Sequence, residues 1–302
     1  MSLSAVINTK NAVSSNFDHK FEDTLKSVKF ADEIVVVDMH SSDATVKVAK
    51  KYTDKIFEFD DLGFVEPARN FAISKATQEW VLIVDADEII SPTLKKRIQA
   101  LVGGDATADA YFLPRKNIVF KRWYEHAGWW PDYQLRLFKK EVVTWSDKIH
   151  SQPRIKGTAD YLAKREDYAI VHYNYQTVEQ YIERLNRYTS HEARQREQKN
   201  ITGGTIVESF SAEAMSRLFL HRGVDAGAHG VGISLLQTFY EVAVVLKQWE
   251  LQGFPKSDNK NDTIKELEAL QFTLNFWLAD WHAKNNKGIS RLIWRLRRKL
   301  GL

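Results

Sequence analysis

Trp80-Val81-Leu82-Ile83-Val84-Asp85-Ala86-Asp87-Glu88-Ile89 is a short apolar run that ends abruptly in three acids. A continuous apolar stretch of this length marks a strand covered on both faces, as in a parallel α/β sheet. Clustered carboxylates repel one another and are costly to bury without a cation or hydrogen bonds to compensate. The acids therefore either face solvent in a turn or hold something positive.

The segments before this strand alternate in kind. Short apolar runs at 5–8, 33–38 and 55–59 predict strands, and with 80–85 they make four. Between the first two, Phe17, Phe21, Leu25 and Val28 recur at helical spacing. Helical patterns also cover 44–52, after the capping residue Asp43, and 64–76. Ser91-Pro92 then opens a fourth helix as N-cap and first-turn proline, with Leu94, Ile98 and Leu101 on its inner face. A β-α-β-α order of this kind predicts an α/β fold with a doubly wound, mostly parallel sheet and right-handed crossovers.

Further along, Gly103-Gly104-Asp105 predicts a surface connection, and 111–145 has the pattern of strands with turns. From Thr177 onward the chain is helical in pattern, with helices expected near 177–199, 208–222, 232–252, 262–285 and 289–299. The expected organisation is a nucleotide-binding and catalytic domain at 1–150, its strand-rich part at 111–150, and a helical region at 151–302.

Composition narrows the classes. Of 302 residues, 44% are hydrophobic and 27% charged, which suits a folded chain with a sizeable core. A net charge of +4 gives no reason to expect a nucleic-acid partner. The absence of cysteine excludes disulfides, thiolate metal sites and cysteine nucleophiles. The N-terminal residues show neither a basic region nor a long apolar one, so a cytoplasmic location is expected.

In open α/β sheets, ligands bind beyond the carboxyl ends of the strands. That rule gathers Thr9 and Asn11 after the first strand, Asp38 at the end of the second, and Asp85 and Asp87 after the fourth. Neither G-x-G-x-x-G after the first strand nor G-x-x-x-x-G-K-[ST] anywhere is present. A nucleotide diphosphate here would need a hard divalent cation, Mg²⁺ or Mn²⁺, held by the acids.

Asp38-Met39-His40-Ser41-Ser42-Asp43-Ala44-Thr45, Ala68-Arg69-Asn70 and Asp85-Ala86-Asp87-Glu88 together resemble the family 2 glycosyltransferases of GT-A fold. Within that family the likeness is to bacterial lipopolysaccharide-core and related cell-envelope transferases, and it covers 4–150. The resemblance implies that Thr9 and Asp38 contact the base and ribose of a nucleotide, with uridine as the base. It implies that Arg69 supports the nucleotide or its phosphates, that Asp85 meets the ribose or metal, and that Asp87 ligates the metal. His40 and Ala44 stand where the family often has glycine.

Ala127-Gly128-Trp129-Trp130-Pro131-Asp132-Tyr133-Gln134-Leu135-Arg136-Leu137-Phe138 is similar to the W-x-P-D-x-Q-x-R-L-F run of the same transferases. Adjacent tryptophans beside glycine and proline suggest a wall on which sugar rings can pack. Inverting displacement at a sugar C1 needs a general base on the acceptor hydroxyl. Asp132 is the expected base, with Glu125 and Asp147 in reserve. Arg136 alternates with Leu135 and Leu137, which predicts the opposite strand face and a phosphate or carboxylate partner such as Asp132. His150 matches a family histidine and is a candidate metal ligand or diphosphate contact. His172 is expected to pack in the core.

The reaction implied is sugar transfer from a nucleotide-diphosphate sugar to a glycan or lipid-linked hydroxyl. A nucleotidyltransferase of similar fold and a non-catalytic binding module are the alternatives. At the C-terminus, Ile289, Leu292, Ile293, Leu296 and Leu300 alternate with Arg291, Arg295, Arg297, Arg298 and Lys299. This basic amphipathic pattern over 288–302 suits either an anionic membrane surface or packing on the chain's own domain. Residues 231–251 are apolar but interrupted by Gln237, Glu241 and Lys247, a poor transmembrane pattern.

Overall fold

The computed structural model describes residues 2–13, 20–61, 66–126, 128–145, 153–197, 199–256 and 259–301. The chain forms two compact units, one of 1–125 with 129–176, the other of 126–128 with 177–302. Strands thus continue past the expected domain edge at 150.

The first unit opens with alternating elements: β1 (Leu3–Thr9), α1 (Phe21–Ser27), β2 (Glu33–Asp38), α2 (Thr45–Ala49), β3 (Ile56–Glu58), α3 (Glu66–Lys75) and β4 (Trp80–Ile83). There follow β5 (Glu88–Ile89), α4 (Pro92–Ala100), β6 (Ala110–Leu113), β7 (Arg115–Val119), β8 (Arg122–Trp123) and β9 (Gln134–Lys139). Then come β10 (Val143–Thr144), β11 (Arg154–Ile155), β12 (Ala159–Tyr161) and β13 (Ile170–Tyr175). As expected, Ser91 caps α4, its hydroxyl accepting from the Leu94 N–H. Leu101 continues the helix as expected, and Gly103-Gly104-Asp105, expected as a surface connection, belong to a wider turn over Leu101–Asp105 that extends α4 and breaks at Gly104, whose φ is +133°.

The main sheet has seven strands in the order β12-β6-β9-β4-β1-β2-β3. β3, β2, β1 and β4 are parallel, and β9 runs antiparallel between β4 and β6. This is the α/β architecture with a mostly parallel sheet that was expected. Alternate residues of each central strand enter two cores. Leu3, Ala5, Ile7, Val36 and Leu82 pack with Phe21, Leu25, Leu94 and Ile98 on one face. Val6, Val35, Val37, Val81 and Ile83 pack with Ala72 and Ile73 on the other. Both faces are covered, so the strands are apolar without alternation.

A second sheet, β5-β13-β7-β8, carries the acids that follow β4. Its register sets Glu88 beside His172, and His172 beside Asn117.

The second unit contains α5 (Val178–Gln195), α6 (Gly203–Met215), α7 (Gly227–Leu251), α8 (Lys260–Asn285) and α9 (Gly288–Leu300). α6 begins earlier than expected because Thr202 and Thr205 cap it reciprocally. The stretch Gly223–Leu251 reaches the length and mean hydropathy, 1.3, of a membrane span. Its polar groups are tied within the unit, however. Arg196 donates to Glu241 at 2.7 Å, and the Lys247 ammonium donates to the Thr189 and Ser190 hydroxyls, both at 2.8 Å.

At the far edge of the main sheet, buried Glu33 ties β2 to β1 and to the turn before β4. It accepts from the Ser4 hydroxyl, from the Thr77 hydroxyl at 2.9 Å and from Lys55. Burial alone would raise its pKa, but the hydrogen bonds from Lys55, Ser4 and Thr77 prevail and lower it from 4.5 to about 2. The ionised form therefore contributes stability that is complete above 4.5 and lost as pH falls through about 2. Glu33→Gln should cost on the order of 3 kcal/mol at neutral pH, with the deficit shrinking as pH falls through that window. Urea unfolding of both proteins at pH 7, 4 and 2.5 checks this; a deficit independent of pH would contradict it.

Candidate functional site

The parallel register of β1 and β2 pairs Thr9 with Asp38, so both side chains stand at the carboxyl rim. Both residues are buried, and two of their oxygens, Thr9 Oγ1 and Asp38 Oδ1, have no hydrogen-bond partner among the described residues. The other Asp38 oxygen accepts from the Ser41 N–H at 2.8 Å.

The rest of that motif secures the loop after β1. The Ser41 hydroxyl accepts from the Asn11 N–H, the Thr45 hydroxyl from the Ala12 N–H, and the Asp43 carboxylate from the Val13 N–H, at 2.8 to 2.9 Å. Asn11 Oδ1 in turn accepts from the Ser42 N–H at 2.8 Å. Its side chain thus holds the loop. Asn11 and His40 have φ of +49° and +56°, so His40 adopts the left-handed turn that glycine more often supplies.

At the start of α3, neighbouring side chains fasten two distant segments. Arg69 donates to Asp85 Oδ1 at 3.2 Å, and its guanidinium carbon lies 5.9 Å from the Trp145 ring centre. Asn70 exchanges two hydrogen bonds with the Trp145 backbone, at 2.7 and 3.0 Å.

The three acids after β4 are held differently from one another. Asp85 takes guanidinium contacts from Arg69 and Arg136, and its N–H donates to Glu88 Oε2 at 2.9 Å. Glu88 is fully buried and meets Arg136 at 2.7 Å and Arg115 at 3.5 Å. Asp87 Oδ1 lies 3.5 Å from His172 Nε2. Burial opposes the charge on Asp85, but Arg136 and then Arg69 more than offset it and hold its pKa well below the ordinary carboxylate range.

Arg136 corrects the sequence-based expectation. The β6–β9 register pairs Tyr111 with Leu137 and Phe112 with Leu135, skipping Arg136. This bulge breaks the alternation and re-aims the side chain. Arg136 is 1% exposed and grips Asp85 and Glu88, so it presents no open face to a phosphate and does not pair with Asp132.

Arg115 takes the Asp132 position instead. Its Nε donates to Asp132 Oδ2 at 2.8 Å, Asn117 Nδ2 donates to the same oxygen at 2.7 Å, and Gln134 donates to Oδ1 at 2.9 Å. Burial would raise the Asp132 pKa, but Arg115 and Asn117 lower it overall, so the group is ionised at neutral pH. Its φ is +39°, just after the aromatic turn. There Trp130 packs edge-on against Trp123 at 5.3 Å, and Trp129 against Tyr124 and Tyr175 at 6.1 and 6.3 Å.

His172, expected as core packing, belongs to this constellation. Its Nδ1 lies 2.6 Å from Asn117 Oδ1, which leaves Nε2 toward Asp87. Asn117 thus joins Asp132 to His172. A period-2 signal was present in Ile170-Val171-His172-Tyr173-Asn174-Tyr175, whose buried members are Ile170, His172 and Asn174. Glu125 is exposed, and His150 and Asp147 lie outside the described residues.

Asp87 presents a carboxylate oxygen of the kind that suits Mn²⁺ or Mg²⁺, with the His172 imidazole beside it. Among the described residues no group of three or more metal-ligating side chains occurs. A hard cation held here would draw on few protein donors, as suits one that arrives with a phosphate-bearing ligand.

Residues 4–152 match the family model described as glycosyl transferase family 2. An uncharacterized glycosyltransferase of Rickettsia typhi is 24% identical over 274 residues, covering 85% of this chain and 93% of the relative. One from Rickettsia bellii is 28% identical over 202 residues, covering 64% and 66%. Among solved structures, S. aureus TarS 1-349 in complex with UDP-GlcNAc is 15% identical, with a TM-score of 0.43 and coverage of 100% of this chain and 89% of that one. Glucosyl-3-phosphoglycerate synthase from Mycobacterium tuberculosis, in complex with Mn²⁺ and UDP-glucose, is 16% identical over 38% of this chain and 43% of that one, with a TM-score of 0.29. With an α/β sheet whose acids gather at the strand ends, residues 4–152 form a family 2 glycosyltransferase domain.

Proposed function

We propose that the chain transfers a sugar from a nucleoside-diphosphate sugar, with uridine as the base, to a hydroxyl of a cell-envelope glycan or lipid-linked acceptor, inverting the anomeric centre. The observation that carries the donor half is the buried pair of oxygens, Thr9 Oγ1 and Asp38 Oδ1, at adjacent strand ends and without a hydrogen-bond partner among the described residues. Buried polar groups are rarely left unpaired, and a nucleobase edge and ribose supply the missing partners.

In this reading Asp38 accepts from the base N–H. Asp87 and His172 would hold a divalent cation, which would supply charge neutralisation for the leaving diphosphate. Arg136 and Arg69 keep Asp85 ionised and in place, and Arg136 also holds Glu88. The acceptor oxygen bonds to C1 as the bond from C1 to the phosphate oxygen breaks. The nucleoside diphosphate leaves with the electron pair, and the acceptor proton passes to Asp132. Asn117 and Arg115 orient that carboxylate, and the paired tryptophans support the sugar-bearing substrate.

Asp132→Asn should lower kcat by about 10²–10⁴-fold while uridine diphosphate still binds with its cation. Single-turnover transfer and calorimetric titration read the two halves separately, and undiminished turnover would remove Asp132 from the role of base. The cation is tested by titrating the protein with uridine diphosphate, with Mn²⁺ or with chelator. Binding should require the metal and be lost in Asp87→Ala and weakened in His172→Ala, with folding confirmed by circular dichroism. Equal binding in chelator would reject the metal assignment. Release of pyrophosphate in place of nucleoside diphosphate during turnover would reject glycosyl transfer in favour of nucleotidyl transfer.

A further inference from the structure

In the second unit, α9 has two faces with different fates. One is fastened to α8: Trp294 stacks on His282 with ring centres 4.1 Å apart, and Arg298 donates to Asp280 at 2.5 Å. Gly301, just beyond α9, lies so close to Phe272 of α8 that an added side chain would collide with the ring. These contacts settle which way the helix is turned.

The opposite face is apolar and uncovered. Ile289, Leu292, Ile293, Leu296 and Leu300 recur at helical spacing and are between 53% and 77% exposed. A stripe of five large aliphatic side chains at this exposure is not the scattered surface apolarity of an ordinary domain. At roughly 100° per residue, Arg297 flanks the stripe on one side, with Lys299 and Arg295 on the other. Residues 287–302 contain six Lys or Arg and no acid.

We infer that α9 docks in the plane of an anionic membrane surface, its aliphatic stripe seated among the acyl chains and its flanking cations at the headgroups. Charge chooses this occupant over a second copy of the chain. Two such helices face to face would bring together like-charged rows with no acid on either, whereas an anionic leaflet supplies the opposite charge along both edges. At 13 residues the helix is about 20 Å long, too short to cross a bilayer, so it lies along the surface. The inference stands on α9 and α8 alone and is independent of the donor, the cation and Asp132.

The test is flotation of the full chain with vesicles of phosphatidylcholine alone or with about one-third phosphatidylglycerol. The chain should float with the anionic vesicles and not with the neutral ones, and added salt should weaken binding. Leu292→Asp with Leu296→Asp should abolish flotation. Arg295→Glu with Lys299→Glu should weaken it about 25-fold or more, at roughly fivefold per lost charge. All four side chains are exposed, so circular dichroism should show unchanged helix content, and either pair alone suffices if the other misfolds. Failure of the parent chain to float, or flotation untouched by a folded variant pair, would overturn the inference. So would a dimer in sedimentation velocity that the leucine variants dissociate while the parent ignores vesicles.

Discussion

Arg136 is the centre on which the site depends. One guanidinium, almost wholly buried, grips Asp85 beyond the end of β4 and Glu88 at the start of β5. It thereby joins the main sheet, which contributes Arg136 itself, to the second sheet, which contributes Glu88. Removing one partner from a buried ion pair typically costs ~3–5 kcal/mol, because it leaves an uncompensated charge. Here the loss would weaken the hold on two, leaving Asp85 to Arg69 and Glu88 to the longer contact with Arg115. The turn Asp85-Ala86-Asp87-Glu88 therefore has its geometry fixed by the protein before any ligand arrives. Arg115 extends the same network, since it meets both Glu88 and Asp132. The acids after β4 and the carboxylate after the aromatic turn are parts of one electrostatic unit.

Much of this was legible in the sequence, and the legible part has a common physical basis. Strands covered on both faces announce themselves as unbroken apolar runs, and helices on either side by their period. The rim positions of Thr9, Asp38 and Asp85 followed from topology alone. What sequence could not supply was register across non-adjacent strands. Glu88, His172 and Asn117 lie in one row of the second sheet, yet they are separated by 84 and 55 residues and come from three different strands. Arg136 was misjudged for a related reason. Strict alternation holds only until a bulge, and the bulge opposite Tyr111 and Phe112 is a property of the pairing, with no signature in β9 itself.

The D-x-x-S-x-D-x-T turn shows how a motif can mix two kinds of work. Its Ser41, Asp43 and Thr45 all accept backbone N–H groups from the loop after β1, and they need no ligand to explain them. Asp38 is different: one oxygen serves the turn and the other is buried without a partner among the described residues, which is why the proposed function assigns it a ligand.

The same accounting bears on the need for a cation. A diphosphate can be neutralised by arginines or by a metal. Around this site Arg69, Arg115 and Arg136 are each engaged by carboxylates, Asp85, Glu88 and Asp132 among them, so three guanidiniums balance three acids. Turning Arg115 toward a phosphate would strip Asp132 of its ion-pair partner among the described residues, while Asp85 and Glu88 would each lose one of two guanidinium contacts to a similar move by Arg136. No glycine-rich backbone nest of the known motifs follows β1 to take their place. In the proposed reading, a divalent ion entering with the nucleotide, and met by Asp87 and His172, would supply positive charge for the diphosphate without disturbing the arginine clamp.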